Sequence, residues 1–530
     1  MADPGSTLRQ HFAPPPRALR VGALLPGRAV VGRWAAGVLR ALEAEPAVHL
    51  AGLWCLSGGQ AGEGRIPWLL NRLRERSRDS DPFVLVPLPD MPGLCVVEAP
   101  DLEAILAEIR ARQLDVLVWL GEEWPDKGWV VSGLAQLGVW SFRFGVGDRR
   151  LMRPYYWREA AEGDSVSVIG LVRHTGSSSA ELVAEDAVAT EKSWYFARNA
   201  ERPMALAGPL LVHALADAAT DERRFLARLG PSRDGGETAP VKCASTPEAL
   251  RFVGGRLRHS LGVRLRRKDR GARECWFVAL RRKDGDGRFK PVPMPAGVQY
   301  TDPFLCQDAG RNWLFVEEIP VFGQKGRLVC REVLGEQDFG EPFVILDKPY
   351  HLSYPSVLRH EGLFFMVPES GDNNTVQLYS ARRFPGEWQL EAVLAEGWPL
   401  RDTTPFLLDD TWYFFATLQE QGTETFLFTA ARLEGPWRYH PANPVCTDTR
   451  RARGAGALFY RDGRLLRPSQ DCAVRYGYAI VLNEITRLTS AEFAERPIET
   501  ILPDWQPGIL GTHTVNRGGG YEVIDGIRMG

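Results

Sequence analysis

The chain has 530 residues, too many for one hydrophobic core, so two or three domains are expected. Apolar residues make up 44% and charged residues 25%, the balance of an ordinary globular protein. The net charge of −2, with acids and bases interspersed, leaves no nucleic-acid footprint, and no run approaches the roughly 18 apolar residues of an integral membrane segment.

In chain order, residues 1–16 read as a disordered head that carries Pro14, Pro15 and Pro16 and lacks the basic start and apolar core of a signal peptide. A strand follows in ALRVGALL, then WAAGVLRALEAE places Trp34, Val38, Leu39 and Leu42 at helical spacing. AVHLAGLWCL is a second strand, LEAILAEIRAR a second helix, LDVLVWLG a third strand and GVWSFRFG, from Gly138, a fourth. SVSVIGLVRHTG and a helical PMALAGPLLVHALADAA complete this part. Strand–helix alternation with β-branched runs predicts a parallel, doubly wound, Rossmann-like α/β domain over residues 17–215. Residues 216–270 are polar and Arg-rich, with GPSRDGGETAP in the middle, and read as a linker with short helices.

From residue 271 to 530 the pattern changes. Five openings recur: TDPFLC from Thr301, SYPSVL from Ser353, RDTTPFLL from Arg401, RGAGALFY from Arg453 and GTHTVN from Gly511. The steps from Asp302 to Tyr354, Asp402, Arg453 and Thr512 are 52, 48, 51 and 59 residues. Each opening leads into an apolar strand, then one rich in Trp, Tyr and Phe, then one like LYSARRF. A period near 50 with several strands per unit predicts an all-β, five-bladed β-propeller whose blade openings meet on one axis. CWFVAL near Cys275 or the last strand near Tyr521 is expected to close the ring by pairing with the opposite terminus, which removes exposed edges. The eight cysteines (55, 95, 243, 275, 306, 330, 446, 472) are scattered without CxxC spacing and read as buried thiols in a reducing compartment, so a cytoplasmic location is expected.

The run LDVLVWLG with GVWSFRFGVGDRRLMRPYYWREAAEGDSVSVIGLV resembles the core of the folate-dependent formyltransferase family over roughly 100 residues. The resemblance implies a strand ending in an Asn-x-His-x-Ser motif and a later catalytic Asp. Here the Asn place holds Ser141, the His place holds Arg143, and HTGSSSAEL from His174 stands where the Asp would be. An Arg stabilises an anion but accepts no proton at neutral pH, so the scaffold is expected to have lost formyl transfer.

The second half resembles glycoside hydrolase family 43 and, more closely, the N-terminal domain of glucosamine inositolphosphorylceramide transferases. The phrases that carry this are NWLFVEE, SYPSVLRHEGLFFMVPES, VQLYSARRFPGEWQLEAVL, RDTTPFLLDDTWYFF, LEGPWRYHPANPV and GRLLRPSQDCAVRYG. The resemblance implies a general base at Asp302 and a second, tuning Asp at Asp402. The third member, a Glu opening blade four, is replaced by Arg453, Gly454 and Ala455. Glu369 in MVPES is the first substitute for the missing acid, since glycoside hydrolysis needs a proton donor and a second carboxylate. Glu317, Glu318 and Asp471 come next.

Tyr354, Arg401, Arg453, Arg467, Asp471 and His513 are candidates for binding sugar hydroxyls or an anionic group. The bland reading is that the arginines neutralise the acids in a buried network. His440 and His513 lack partners at metal-ligand spacing, so no metal site is expected, and no cofactor is named by the sequence. The function these residues suggest is glycosyl transfer or glycoside processing on a glycan or glycoconjugate, with a glycan or nucleotide-sugar as ligand. The alternatives are a non-catalytic carbohydrate-binding or scaffold protein in polysaccharide or glycolipid assembly, and a formyltransferase acting on an amino sugar.

Overall fold

The computed structural model describes residues 17–27, 30–56, 81–91, 96–98, 102–122, 133–145, 152–153, 155–176, 180–191, 196–231, 242–243, 245–266, 274–323, 325–419 and 423–529. The 1–16 head lies outside the described residues. The chain divides into two compact units, residues 1–268 and 269–530.

The first unit is built on an eight-stranded mixed sheet. Its parallel part runs in the spatial order Val96–Glu98, Val48–Cys55, Leu19–Leu25, Val116–Trp119, Val139–Phe144. Strand Val116–Trp119 is buried at every position, as a central parallel strand covered on both faces requires. Helix Arg33–Ala44 buries Trp34, Val38, Leu39 and Leu42, the residues its spacing singles out. The expectation of a wholly parallel sheet needs correction. Beyond Val139–Phe144 the strands Val166–His174, Glu181–Ala189 and Gly230–Pro231 add antiparallel. Val166–His174 and Glu181–Ala189 are joined by a short loop, and a short connection permits only antiparallel pairing.

Residues 216–270, read from sequence as a linker, hold much regular structure. They include the end of helix Ala207–Thr220, helix Glu222–Arg228 and the 21-residue helix Thr246–Arg266. Phe252 of the last packs edge-on against Trp157 at 6.4 Å and joins it in a small buried cluster, so this stretch belongs to the first unit's packing.

The second unit is a ring of five sheets. Blade one is Val298–Asp308, Arg311–Pro320, Arg327–Val333 and Phe343–Leu346; blade two is Ser353–His360, Leu363–Glu369, Thr375–Arg383 and Glu387–Glu396. Blade three is Arg401–Leu408, Thr411–Gln419, Thr423–Ala430 and Arg438–Tyr439. In blade four the inner edge is split into Arg453–Gly454 and Phe459–Arg461, both paired to Arg464–Asp471, followed by Ala479–Leu488 and Phe493–Ile501. Blade five has the same split, with Ile509–Gly511 and Val515–Gly518 both on Tyr521–Met529.

Strand Glu274–Arg282 then pairs antiparallel along the whole of Tyr521–Met529, so the two ends of the unit share one blade. The ring also closes at its inner edge. The Val515 N–H donates to the Ala455 carbonyl at 2.8 Å, and the Asn516 side chain bonds both Ala457 N and the Pro303 carbonyl.

Alternation along the strands explains why each blade needs two neighbours. In blade one Leu314 points into a cluster shared with blade five, including Val278 and Val523, while Phe315 points into one shared with blade two, including Met366 and Tyr379. Successive strand residues face opposite sides, so both faces of a blade must be covered. Burying each such side chain stabilises the ring by about 1.5–3 kcal/mol.

Candidate functional site

The blade openings share a backbone device. In blades one, two and three the pairing register of the inner strand breaks between Thr301 and Phe304, Ser353 and Ser356, and Arg401 and Thr404. Asp302, Tyr354 and Asp402 sit inside these breaks with φ of 49°, 46° and 50°. Left-handed backbone at residues with a Cβ is strained, and a bulge of this kind re-aims a side chain. Each break turns one residue out of the strand's alternation.

A second device recurs on the next strand of each blade. The residues that pair with the last regular position before the break, or with its counterpart in blade four, are Glu317 with Thr301, Glu369 with Ser353, Thr417 with Arg401 and Gln470 with Arg453. Asp525, on the second strand of blade five, has a matching role. From this place a side chain reaches the opening of the following blade. Glu369 accepts the Asp402 N–H at 3.2 Å, Thr417 accepts the Gly454 N–H at 3.3 Å, and Asp525 accepts the Asp302 N–H at 3.1 Å. The strained openings at Asp302 and Asp402 are thus each held by an acid from the preceding blade, and Gly454 of blade four by a hydroxyl.

Asp525 is the most heavily engaged of these. Its Oδ1 accepts the N–H groups of His513 and Thr514, each at 2.9 Å. Its Oδ2 accepts the Thr301 hydroxyl at 3.1 Å besides the Asp302 N–H, and lies 2.6 Å from His513 Nδ1. The other nitrogen, Nε2, is 3.7 Å from Asp302 Oδ1, which also accepts the Thr514 hydroxyl at 2.7 Å. Trp276 of the ring-closing strand stacks on the imidazole at 4.1 Å and 22°.

Burial works against a charged imidazole here, but Asp525 and Asp302 outweigh it and raise the His513 pKa above its ordinary value. Burial raises Asp302 as well, opposed by His513 and reinforced by Asp525. The ligand atoms of Asp302, His513 and Asp525 lie within 4.8 Å of one another, so these three are a set able to hold a metal ion. Sequence spacing alone missed it, because Asp302 and Asp525 lie on separate strands and His513 in the link between Ile509–Gly511 and Val515–Gly518.

The other node is Asp402 with Arg453. Arg453 Nε lies 2.8 Å from Asp402 Oδ2 and its Nη2 lies 3.9 Å from Glu369 Oε2, while Glu369 Oε1 takes a 2.8 Å bond from Arg401. Burial pushes the Asp402 carboxyl up, with Arg453 opposing and Glu369 and Asp302 adding to the shift. Gly454 permits the approach of the two blades, since a Cβ there would stand 2.9 Å from Asp402 Cβ. The Tyr476 ring lies 5.0 Å from the Arg453 guanidinium and edge-on to His513 at 5.5 Å. Tyr476 is 48% exposed, so it gives the buried charges a face to solvent.

The residues singled out by sequence therefore divide. Asp302, Asp402, Glu369, Arg453 and His513 converge, and Arg401 joins them through Glu369. Tyr354 does not offer its hydroxyl to a ligand: it bonds the Thr404 hydroxyl and the Gly456 N–H, both at 2.8 Å, and ties blades two, three and four together. Arg467 is committed to Glu495 through two bonds of 2.8 and 2.7 Å, with both side chains buried. Arg467 does help line a small cavity beside Asp402, Thr404 and Thr417. Asp471 is partly exposed and caps the Ala473 N–H at 2.9 Å, a turn-forming role. Glu318 is paired with Arg327 at 2.6 Å.

Asp525, Trp276 and Tyr476 were missed. For Asp525 a signal existed, an acid within the otherwise apolar strand run VIDGI.

In the first unit, Ser141 and His174 do meet, with Oγ to Nε2 at 2.9 Å. Burial lowers the His174 pKa to about 4 and keeps the ring neutral. Arg143 is ion-paired with Glu185 at 2.9 Å.

Fold and site together define a five-bladed propeller with a buried, charge-dense axis at its blade openings. Within it, residues 294–509 match the family model described as glucosamine inositolphosphorylceramide transferase 1, N-terminal. Glucosamine inositolphosphorylceramide transferase 1 of Oryza sativa subsp. japonica is 31% identical over 246 residues, which is 43% of this chain and 33% of that protein. The Arabidopsis thaliana protein of the same name is 30% identical over 203 residues, 37% of this chain and 26% of that one. The chain thus spans a third or less of the length of these relatives.

Among solved structures, the family 117 glycoside hydrolase Zg3597 of Zobellia galactanivorans is similar with a TM-score of 0.33 and 12% identity, over 48% of this chain and 90% of that one. An α-L-arabinanase of Cellvibrio cellulosa has a TM-score of 0.30 and 10% identity, over 37% and 77%. A family 43 protein of Bacillus licheniformis, BlXynB, has 0.29 and 14%, over 42% and 49%. Such distant similarity carries no chemistry. Among the described residues no helix is long and apolar enough to cross a membrane.

Proposed function

We propose that the propeller acts on a glycan or glycoconjugate, by glycosyl transfer or glycoside processing, at the axial cluster of Asp302, Asp402, Glu369, Arg453 and His513. The observation that supports this most is the investment in the site: strained backbone at Asp302 and Asp402, each held by an acid from the preceding blade. Buried carboxyls cost several kcal/mol each in desolvation unless they are paired or used.

Asp302 and Asp402 polarise sugar hydroxyls in this reading, and the half-exposed Tyr476 ring offers an apolar face of the kind on which a pyranose stacks. Because Arg401 and Arg453 are already matched by Glu369 and Asp402, an anionic sugar is a less favoured ligand than a neutral or amino sugar. The family match and the relatives' names agree with a glycoconjugate, and the free cysteines agree with a reducing, cytoplasmic setting. The first unit, in the same reading, keeps a formyltransferase-like arrangement without its chemistry, since Arg143 is bound to Glu185.

The test is Asp302→Asn and Asp402→Asn in the full chain, assayed for binding and turnover against a panel of amino-sugar and neutral glycoconjugates. At least a hundredfold loss of turnover with unchanged folding is expected. Unchanged binding and turnover in both variants would leave the scaffold alternative standing.

A further inference from the structure

Between blades three and four lies a cavity of about 10 Å³, whose polar lining is Asp402, Thr404, Thr417, Thr425 and Arg467. None of these five side chains belongs to a residue more than 3% exposed. The volume is that of about one water molecule, too small for any group of a sugar larger than a hydroxyl.

Three of the lining groups have hydrogen-bonding capacity to spare. A guanidinium carries five N–H donors. Arg467 Nε donates to Glu495 Oε2 at 2.8 Å, and Nη2 donates to Glu495 Oε1 at 2.7 Å and to the Arg451 carbonyl at 3.1 Å. Those bonds use three donors, and among the described residues the two hydrogens of Nη1 are left over. Asp402 Oδ2 is the second group. Arg453 Nε stands 2.8 Å from it as an ion pair, yet no N–H or O–H of the described residues is directed along a hydrogen bond to this oxygen. Thr425 is the third. Its hydroxyl donates to the Ala452 carbonyl, which leaves the lone pairs of Oγ free to accept. Thr404 and Thr417 are more fully engaged, the first with the Tyr354 hydroxyl and the Asp402 carbonyl, the second with the Gly454 N–H.

Polar atoms buried without a partner are rare, because each has given up the bonds it made to solvent. Here a spare donor and two spare acceptors line one small space. A metal cation there would face the Arg467 guanidinium, and an anion would face the Asp402 carboxyl. A neutral molecule of one heavy atom that accepts one bond and donates two answers all three groups. Water does so within this volume.

We propose that this cavity is the site of one ordered water, which accepts from Arg467 Nη1 and donates to Asp402 Oδ2 and Thr425 Oγ, with Thr425 as the residue that positions it. The water ties Asp402 of the axial cluster to the buried Arg467–Glu495 pair of blade four. The Asp402 carboxyl then does not rest on Arg453 alone. The site does not depend on which molecule the axial cluster acts on.

The test is a crystal structure of the full chain at a resolution that orders bound solvent, repeated for two variants. The wild type should show a single peak in the cavity, about 2.7–3.2 Å from Arg467 Nη1, Asp402 Oδ2 and Thr425 Oγ. Thr425→Val keeps the shape of the side chain and removes the acceptor, so the peak should be lost from that place. Thr425→Ser keeps the hydroxyl and should retain it. A wild-type cavity without a peak, or a peak that stays unmoved in Thr425→Val, overturns the proposal. An anomalous bromide signal in the cavity after a soak in sodium bromide also overturns it, since the site would then take an anion. Should Thr425→Val fail to fold, the decision falls on the wild type and Thr425→Ser, and loss of the peak from the serine variant overturns the assignment.

Discussion

A half-buried histidine in the first unit and a buried one in the second show how a partner's charge decides what the same side chain becomes. His174, at the end of a strand in the first unit, meets the neutral hydroxyl of Ser141 at 2.9 Å, and burial lowers its pKa to about 4. His513, deeper in the propeller, lies between Asp525 and Asp302, and their charges overcome burial to raise its pKa. Desolvation acts on both rings in the same direction. Only a carboxylate beside Nδ1 reverses the outcome. Burial holds the first histidine in its neutral form, and the acids around the second draw it towards its charged form.

The largest effect that bears on this contrast is expected from Asp525→Ala. It removes the acceptor of five donors and leaves His513 and the strained Asp302 backbone unsupported. A loss of about 3–5 kcal/mol is expected, as for breaking one side of a buried ion pair. Hydrogen exchange of the 274–282 and 511–529 segments would register it, with the first unit unaffected. An exchange pattern like that of the wild type would mean that the clamp is not what holds the blade openings.

The pH response should separate the two units in sign. His174 has a folded pKa below its unfolded value of about 6.5, so its contribution to stability is complete above that value and fades as pH falls towards about 4. The loss amounts to roughly 2–3 kcal/mol. His513 has a folded pKa above its unfolded value, so its contribution is complete below about 6.5 and is lost as pH rises through the folded pKa. Glu317 acts in the same sense as His513. Its folded form keeps a proton that the unfolded chain gives up above about 4.3, so propeller stability declines with rising pH. Histidine-selective NMR across pH 4–8 would show His174 neutral and His513 charged at pH 6.5. The same charge state for both rings at that pH would erase the contrast.

The smallest effect is expected from Ser141→Ala, which deletes a single neutral hydrogen bond and should cost about 1 kcal/mol. If it instead shifted the His174 pKa upwards by more than a unit, the hydroxyl and not burial would be setting that value. An NMR titration of the variant measures it.

The propeller was more legible than its site. Five openings at a near-constant step, each followed by an apolar strand and an aromatic one, specify repeated blades, because every blade meets the same packing demand on both faces. The first unit's strands were legible from their β-branched runs, but the antiparallel turn of its sheet after Val139–Phe144 was not, since a buried strand looks alike in either direction. At the site, Asp302, Asp402, Glu369, Arg453 and His513 were legible as blade-opening or strand-end polar residues. The assignments of Tyr354 and Arg467 were not recoverable, because Thr404, Gly456 and Glu495, the groups that absorb them, lie 28 to 102 residues away.

What the sequence determined by itself is the repeat: period, strand order within a blade and the place of an odd polar residue at each opening are local properties of one stretch of chain. What only the tertiary structure decided is which charge meets which. Closure of Glu274–Arg282 onto Tyr521–Met529 brings Trp276 and Asp525 to His513, and the ring's curvature brings Glu369 to Asp402. A carboxyl's protonation depends on burial and on neighbours within a few ångströms. Those neighbours come from other blades, so whether an acid ends as a cap or as a counter-ion is settled by folding.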